Sequence, residues 1–303
     1  MSPVTSRRGA AKTAAIATEL LHRMQIRDAT LSVLSWKQHA VLRRTLRTFA
    51  DNGIAALFHH RRIFFNEIDD ADRAIAAEFG FEAIGEAENV GIYGGAKGLA
   101  EACVTEFMLF VENDCPAIVA ADAFHDAVTR SIADMRTHQS PVFSLRSRRQ
   151  PGEKFDRHVR YQKYYRLEQP LRASETEPLA PRDPTGILQR SYEDLRRPSL
   201  RGTALFAEEQ PHLRHPALIR RSDNGNFLTT SRVLNWSNNC LLVHTEFMRD
   251  VVLKRVESHP APTSINGHQD IEAAVKLNRW WRQLDVTMGQ AEPGPLTHSR
   301  GSR

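Results

Sequence analysis

Glu106-Phe107-Met108-Leu109-Phe110-Val111-Glu112-Asn113-Asp114-Cys115-Pro116 is the stretch on which the reading of this chain turns. Five apolar residues run without a break into Glu-Asn-Asp, and Pro116 closes the segment. A short apolar run bounded this way predicts a strand buried on both faces in the middle of a sheet. Central strands of open α/β sheets present functional side chains at their carboxyl ends. Glu112 and Asp114 are therefore expected on the rim of a cleft. Two carboxylates with one residue between them suit a hard divalent cation such as Mg²⁺ or Mn²⁺. A strand that simply ends in a solvated acidic turn is the alternative.

Working outward from that stretch, the amino-terminal side alternates between two periodicities. Ala29 to Ser35 reads as a first strand, and Val41, Leu42, Leu46 and Phe49 recur at helical spacing until Asp51-Asn52-Gly53. A second strand is expected over Ala55 to His59 or over Arg62 to Phe65, with Asn66-Glu67 directly after it. Asp70 to Phe79 reads as a helix, with Asp70 a candidate cap, and Phe81 to Gly85 as a short third strand. Asn89 to Leu99 carries four glycines, which permit tight turns and close approach of backbone to a ligand. Ala100 to Val104 is expected to continue as helix into the central strand. The order is strand-helix-strand-helix-strand-helix-strand, a nucleotide-binding type of α/β arrangement with parallel pairing.

On the carboxyl side, Ala120 to Met135 is predicted helical and Pro141 to Leu145 a short strand. Arg146, Arg148 and Arg149 follow. From Gln150 the pattern dissolves into Arg, Tyr, Pro, Asp and Glu, so a polar insertion or acceptor-side subdomain is expected at about 150–225. Order returns with Asn235-Trp236-Ser237-Asn238-Asn239-Cys240 ahead of Leu241 to Val243. A helix is expected from Thr245 to Val256. Gly267-His268-Gln269-Asp270 precedes another helical pattern, with Asp270 in its first turn. Leu284 to Met288 reads as a last strand, and the tail through His298 as loop.

At 303 residues the chain can bury a full core, organised as an amino-terminal helical extension over 1–28 and one large domain over 29–303. Forty-one Lys and Arg against 36 Asp and Glu leave a formal charge of +5. That modest excess fits small anionic ligands or an anionic membrane surface as well as nucleic acid. Three cysteines form neither a CxxC pair nor a disulfide framework, which points to a reducing compartment. No stretch approaches the roughly 18 consecutive apolar residues of a membrane span. The glycine-rich stretch is neither GxxxxGK[ST] nor GxGxxG, which argues against an ATPase or a dehydrogenase.

Taken together, Asn89-Val90-Gly91, Ala96-Lys97-Gly98-Leu99, Glu112-Asn113-Asp114, His268-Gln269-Asp270 and Leu296-Thr297-His298 resemble, in order and spacing, the nucleotide-sugar glycosyltransferases of the GT-A fold. The large inverting family 2 is the nearest pattern. The resemblance covers Leu31 to Ile118 and Asn235 to His298. It implies a GT-A type α/β fold, with a single mixed, mainly parallel sheet flanked by helices. It implies transfer of a sugar from a UDP- or GDP-type donor to a hydroxyl of a glycan, lipid-linked or small-molecule acceptor, with inversion.

Under that resemblance Glu112, Asp114 and His298 hold Mn²⁺ or Mg²⁺, and Asp270 is the base that deprotonates the acceptor. Ser35, Asn66, Glu67, Lys97, Glu112 and Asn113 are candidate donor contacts, with Asp69 and Asp70 competing for the ribose or uridine. Trp236 and Asn238 fall on the acceptor side. The chain departs from the family at Glu112, where Asp is expected, and at Gln269, where Glu is commoner. Both departures keep a catalytically inactive glycan or nucleotide-sugar binding protein as the alternative. A nucleic-acid binder using Tyr161, Tyr164 and Tyr165 beside Arg160 and Arg166 is a third reading, weighed down by the balanced charge. The expected location is cytoplasmic, with possible contact at the inner face of a membrane.

Overall fold

The computed structural model describes residues 24–152, 161, 200–261, 264–265 and 267–299. The expected amino-terminal helix before residue 24 and the residues Arg160, Tyr164, Tyr165 and Arg166 lie outside the described residues.

In chain order the first half runs β1 (Ala29–Ser35), α1 (His39–Asp51), β2 (Arg61–Phe65), α2 (Asp70–Glu78), β3 (Glu82–Gly85), α3 (Gly91–Ala102), β4 (Phe107–Glu112), α4 (Ala121–Thr137) and β5 (Val142–Ser144). The second half adds β6 (Arg220–Arg221), β7 (Phe227–Thr230), β8 (Leu241–His244), β9 (Ser264–Ile265), β10 (His268–Gln269), α5 (Ile271–Lys276) and β11 (Thr287–Gln290), with short helical turns between them. Nine strands form one sheet in the order β3-β2-β1-β4-β8-β5-β11-β7-β6. β8 and β7 run against the other seven. The result is the expected single mixed, mainly parallel sheet flanked by helices.

β4 sits in mid-sheet between β1, its parallel partner, and β8, its antiparallel one. Its side chains alternate between two cores. Phe107, Leu109 and Val111 face a cluster with Leu46 and Phe49 of α1 and Phe124 and Val128 of α4. Met108 and Phe110 face a second cluster with Leu99 of α3, Trp236 and Ile271. A strand covered on both sides must be apolar at every position, which is why the run is unbroken.

The structure decides three points that the sequence left open or read differently. Residues Ala55–Leu57 form a 3-10 turn, so the second strand is the later of the two candidates. The glycine-rich stretch is helix from Gly91 onward rather than a turn ahead of one. Its glycines serve contact: a Cβ on Gly95 would lie 2.3 Å from Leu34 Cδ1, and one on Gly98 2.3 Å from Phe64 Cε2. Helix α3 thus rests directly on β1 and β2. Gly98→Val is expected to destabilise the fold by about 1–3 kcal/mol through overpacking, read as a lowered denaturation midpoint with unchanged slope. Trp236, expected on the acceptor side, is fully buried, donates to Asn238 Oδ1 at 2.8 Å and meets Trp281 edge-on at 5.2 Å.

Part of the polar middle region contributes to the core. Ala204, Leu205 and Ile219 are buried in the second cluster. Tyr161 is also fully buried, with its hydroxyl on Glu208 and, at 2.8 Å, on His215 Nε2. That placement removes Tyr161 from any surface for stacking bases. Among the described residues no helix is long and apolar enough to cross a membrane.

Candidate functional site

β4 delivers Glu112 to its carboxyl end, and a turn closed by Cys115 N–H on Glu112 C=O (3.1 Å) carries Asn113 and Asp114 outward. The Asn113 carbonyl is fixed by Thr45 Oγ1 of α1 at 2.7 Å. The tail then runs alongside this turn. Ile118 N donates to Pro295 O, Thr297 N to Pro116 O and Ser299 N to Asp114 O, at 3.0, 3.0 and 2.8 Å. These backbone bonds place the buried His298 side chain against Asp114, with Nε2 3.1 Å from Oδ2.

One ligand atom each from Glu112, Asp114 and His298 lies within 4.8 Å of the others. Two carboxylate oxygens and an imidazole nitrogen are a donor set suited to Mn²⁺ or Mg²⁺, and the three groups converge tightly enough to share one ion. The longer arm of Glu112 has not taken its carboxylate out of the group. Arg146 stands close enough for Asp114 and Glu112 to bear on its guanidinium, whose pKa burial pushes below the ordinary arginine value. Beneath the turn, Cys115 and Cys240 are buried free thiols. Contact with Cys240, then burial, pushes the Cys115 thiol well above its usual range, so it is packing rather than a nucleophile.

Glu112 and Asn113 also line an open cleft of about 760 Å³ at the carboxyl ends of β1, β2 and β4. Ser35, the last residue of β1, also lines it, and its buried hydroxyl has no partner among the described residues. Asn66 lines the cleft but is already committed: Oδ1 accepts from Val90 N at 3.1 Å and Nδ2 donates to Gly91 O at 3.4 Å. Trp36, at 40% exposure, also lines the cleft, with Nε1 donating to Glu67 Oε2 at 2.6 Å. Glu67 therefore orients an aromatic plane and does not line the cleft itself.

A second convergence, of His39, Asp69 and Asp72, lies outside the cleft lining. Its cation is already present. Lys37 Nζ lies 2.7 Å from Asp69 Oδ2 and 3.4 Å from Asp72 Oδ2, and His39 Nε2 lies 2.7 Å from Asp72 Oδ1. Asp69, and not Asp70, caps α2, in a reciprocal box with Asp72. The hydrogen bond from Lys37, followed by the Asp72 backbone N–H, lowers the Asp69 carboxyl to about 2. Because the folded value lies below the ordinary one of 3.8, this contact is complete above about pH 4 and lost as pH falls through 2. The side-chain carboxyl carbon shift of Asp69, followed by NMR in acid, is expected to show a midpoint near 2.

Lys97 and, from the arginine run after β5, Arg148 are placed elsewhere. Lys97 points to Glu257 on a neighbouring helix at 2.8 Å, an acid that also takes the Tyr93 hydroxyl at 2.6 Å, and it does not line the cleft. Arg148 is buried on the carbonyls of Leu205 and Glu208 and on Glu292, with its guanidinium 4.4 Å from the Phe227 ring centre. Asp270 caps α5 instead of lying in its first turn, with Oδ1 accepting from Glu272 N at 2.9 Å. It follows directly on His268 and Gln269, which do line the cleft. Gln269 Oε1 accepts from Ala261 N at 3.0 Å.

Trp36, Gln38 and His268 line the cleft, yet the sequence singled out none of them as a contact. A tryptophan immediately after a strand's last residue was the available signal. His268 was visible only as part of the motif around Asp270.

No protein-family model and no curated protein matches this chain. Among solved structures, residues 1–349 of S. aureus TarS superpose with a TM-score of 0.46 at 11% identity, over 90% of this chain and 60% of that one. The same fragment in complex with UDP-GlcNAc gives 0.47 at 10%, over 91% and 59%. The mannosyltransferase PcManGT from Pyrobaculum calidifontis, in complex with GDP-Man and Mn²⁺, gives 0.33 at 9%, over 46% and 44%. The chain thus spans about three fifths of the TarS fragment. Likeness at this level assigns this chain neither a family nor a substrate.

Proposed function

We propose that this chain is a GT-A-type glycosyltransferase that moves a sugar, with inversion, from a UDP- or GDP-type donor to a hydroxyl of a glycan, lipid-linked or small-molecule acceptor. The observation that carries the reading is the convergence of Glu112, Asp114 and His298 beside a cleft that shares Glu112 with them. A divalent cation held by those three residues would neutralise charge developing on the leaving diphosphate.

The chain's own groups supply the rest. Ser35, with its unpartnered buried hydroxyl, offers a contact at the nucleoside end, and Trp36 offers a face for the base. Asp270, beside the cleft, is the group to take the acceptor's proton as that oxygen attacks the anomeric carbon. Its Oδ2 accepts no hydrogen bond among the described residues, so one lone-pair edge is left for the acceptor. The domain reading goes with this assignment: 29–303 is the catalytic unit and about 150–225 its acceptor side. The unit works in the cytoplasm, with membrane contact confined to the periphery and without nucleic acid.

Thermal shifts with UDP, GDP and a DNA oligomer, each with and without Mn²⁺, test the reading. Stabilisation by a diphosphate that depends on Mn²⁺ is expected. Stabilisation by the oligomer alone would sink it. A specific observation favours one alternative, a nucleotide-sugar binder without turnover: the Asp270 carboxylate is partly committed to its helix cap. Metal-dependent donor binding with no hydrolysis or transfer would identify that case.

A further inference from the structure

Two residues in loops that border the cleft hold backbone conformations rarely adopted away from glycine. Lys37, in the loop after β1, has φ +48°, and Glu67, in the loop after β2, has φ +57°. Such left-handed backbone persists only where the surroundings over-determine it. Here the two loops determine each other. Ser35 O accepts from Asn66 N at 3.0 Å, which sets them side by side. Lys37 Nζ then crosses between them, donating to the Glu67 carbonyl, to Asp69 Oδ2 at 2.7 Å and to Asp72 Oδ2 at 3.4 Å. An ammonium has three N–H bonds, and each finds an acceptor. The side chain of Asp72 is fully buried and is fixed in turn by His39 Nε2 at 2.7 Å and by the Asp69 backbone N–H at 3.1 Å.

Glu67 is thereby held at both ends. Its carbonyl takes Lys37, and its carboxylate takes Trp36 Nε1 at 2.6 Å. Trp36 and Lys37 are neighbours in the chain, so the contacts close a ring from the indole through Lys37 and Glu67 back to the indole. Of these three residues only Trp36 lines the cleft. The cap of α2 does not need the amine, because the reciprocal box of Asp69 and Asp72 is complete without it. What the amine adds is a fixed Glu67, and through it a fixed Trp36. An exposed tryptophan on a loop otherwise has several staggered rotamers open to it.

We propose that Lys37 is a positioning residue: by clamping Glu67 it holds the Trp36 indole at the cleft in the orientation that receives a nucleobase. This assignment, which rests on the donor-cleft reading above, adds the residue that sets the platform and itself touches no ligand. Stacking gains most when the ring is already in place, because a mobile side chain must first be ordered. Loss of the clamp therefore falls on the nucleoside part of a ligand and spares the diphosphate. In turnover it raises KM and leaves kcat nearly unchanged, since the base is bound alike in the ground and transition states.

The test replaces the four tryptophans of the chain with 5-fluorotryptophan and follows them by fluorine NMR in the native chain and in K37M, K37R and K37G. Trp36→Phe assigns the Trp36 signal, and the signals of the buried Trp236 and Trp281 report on the fold. The same proteins are titrated calorimetrically with UDP, GDP and inorganic pyrophosphate in Mg²⁺. Lys37→Met is expected to shift the Trp36 signal while those of Trp236 and Trp281 stay in place. It should weaken the preferred nucleoside diphosphate by about tenfold and leave pyrophosphate unchanged. Lys37→Arg, which keeps the charge, should recover part of both. Lys37→Gly removes the amine while relieving the backbone at φ +48°, and should repeat the loss. An unchanged Trp36 signal and unchanged nucleotide affinity in both Lys37→Met and Lys37→Gly overturn the clamp and leave the donor reading intact. A shifted Trp36 signal with full affinity, or equal weakening of pyrophosphate, does the same. Movement of the Trp236 and Trp281 signals along with that of Trp36 in both variants overturns it in favour of a general structural part. Binding of neither nucleoside diphosphate by the native chain overturns the donor reading and the clamp's place in it together.

Discussion

Asp114→Ala is expected to abolish Mn²⁺-dependent stabilisation by UDP or GDP and to lower sugar transfer by about a hundredfold or more. Asp114 is the member of the group that touches His298 directly, and it projects from a turn fixed on both sides. Removing its carboxylate leaves two of the three ligand groups, Glu112 and His298. It also strips the buried His298 of an acceptor. The fold should tolerate the change, because the tail is tied to this turn by backbone bonds: Ser299 N to Asp114 O and Thr297 N to Pro116 O. Asp114→Asn separates charge from shape, since an amide oxygen still accepts from His298 but carries no negative charge for the ion. Loss in both variants, with melting temperature in the absence of ligand little changed, is the expected result. An undiminished Mn²⁺-dependent shift in Asp114→Ala would remove this group from the metal role.

The position of that carboxylate was legible because it depends on one strand. An unbroken apolar run must be covered on both faces, so its polar end must lie at the sheet's edge of contact with solvent. His298 was a different matter. It reaches Asp114 only because residues 295–299 lie alongside 114–118, a pairing made by distant segments that no local periodicity encodes. The motif resemblance suggested it, and the backbone bonds supply the physical cause. Strand order was equally non-local: β8, more than a hundred residues after β4, inserts between β4 and β5 and runs against both.

Lys97 shows where local chemistry misleads. A cation after a glycine-rich segment suits an anion, but the segment is helix and its glycines seat α3 on Leu34 and Phe64. With that face turned to the sheet, Lys97 is carried to Glu257. Asn66 shows the converse. Its residue type and strand-end position suited a ligand contact, yet a side-chain amide can also tie two loops together. Here it joins the end of β2 to the start of α3. Sequence marks such a group as polar and well placed, while only the fold decides whether backbone or ligand uses it.

Asp270→Asn carries the other large expected effect, a fall in transfer of about 10²- to 10⁴-fold with donor binding preserved. The substitution is chosen for what it keeps. Asp270 Oδ1 caps α5 through Glu272 N, and asparagine is as good a residue for that position, so the helix should start where it does now. What it removes is the negative charge and the lone pair on Oδ2, the means of accepting a proton. A purely structural carboxylate predicts little change in transfer, since its cap is conserved. A catalytic base predicts a loss confined to turnover, with the Mn²⁺-dependent shift from UDP or GDP at its original size. Asp270→Ala should lose the cap as well, adding a stability cost of about 0.5–2 kcal/mol to the same turnover defect. Turnover by Asp270→Asn equal to that of the native chain would exclude Asp270 as the base. Within reach of the same cleft, His268 is then the remaining titratable side chain on that hairpin, and its alanine variant would be the next to assay for transfer.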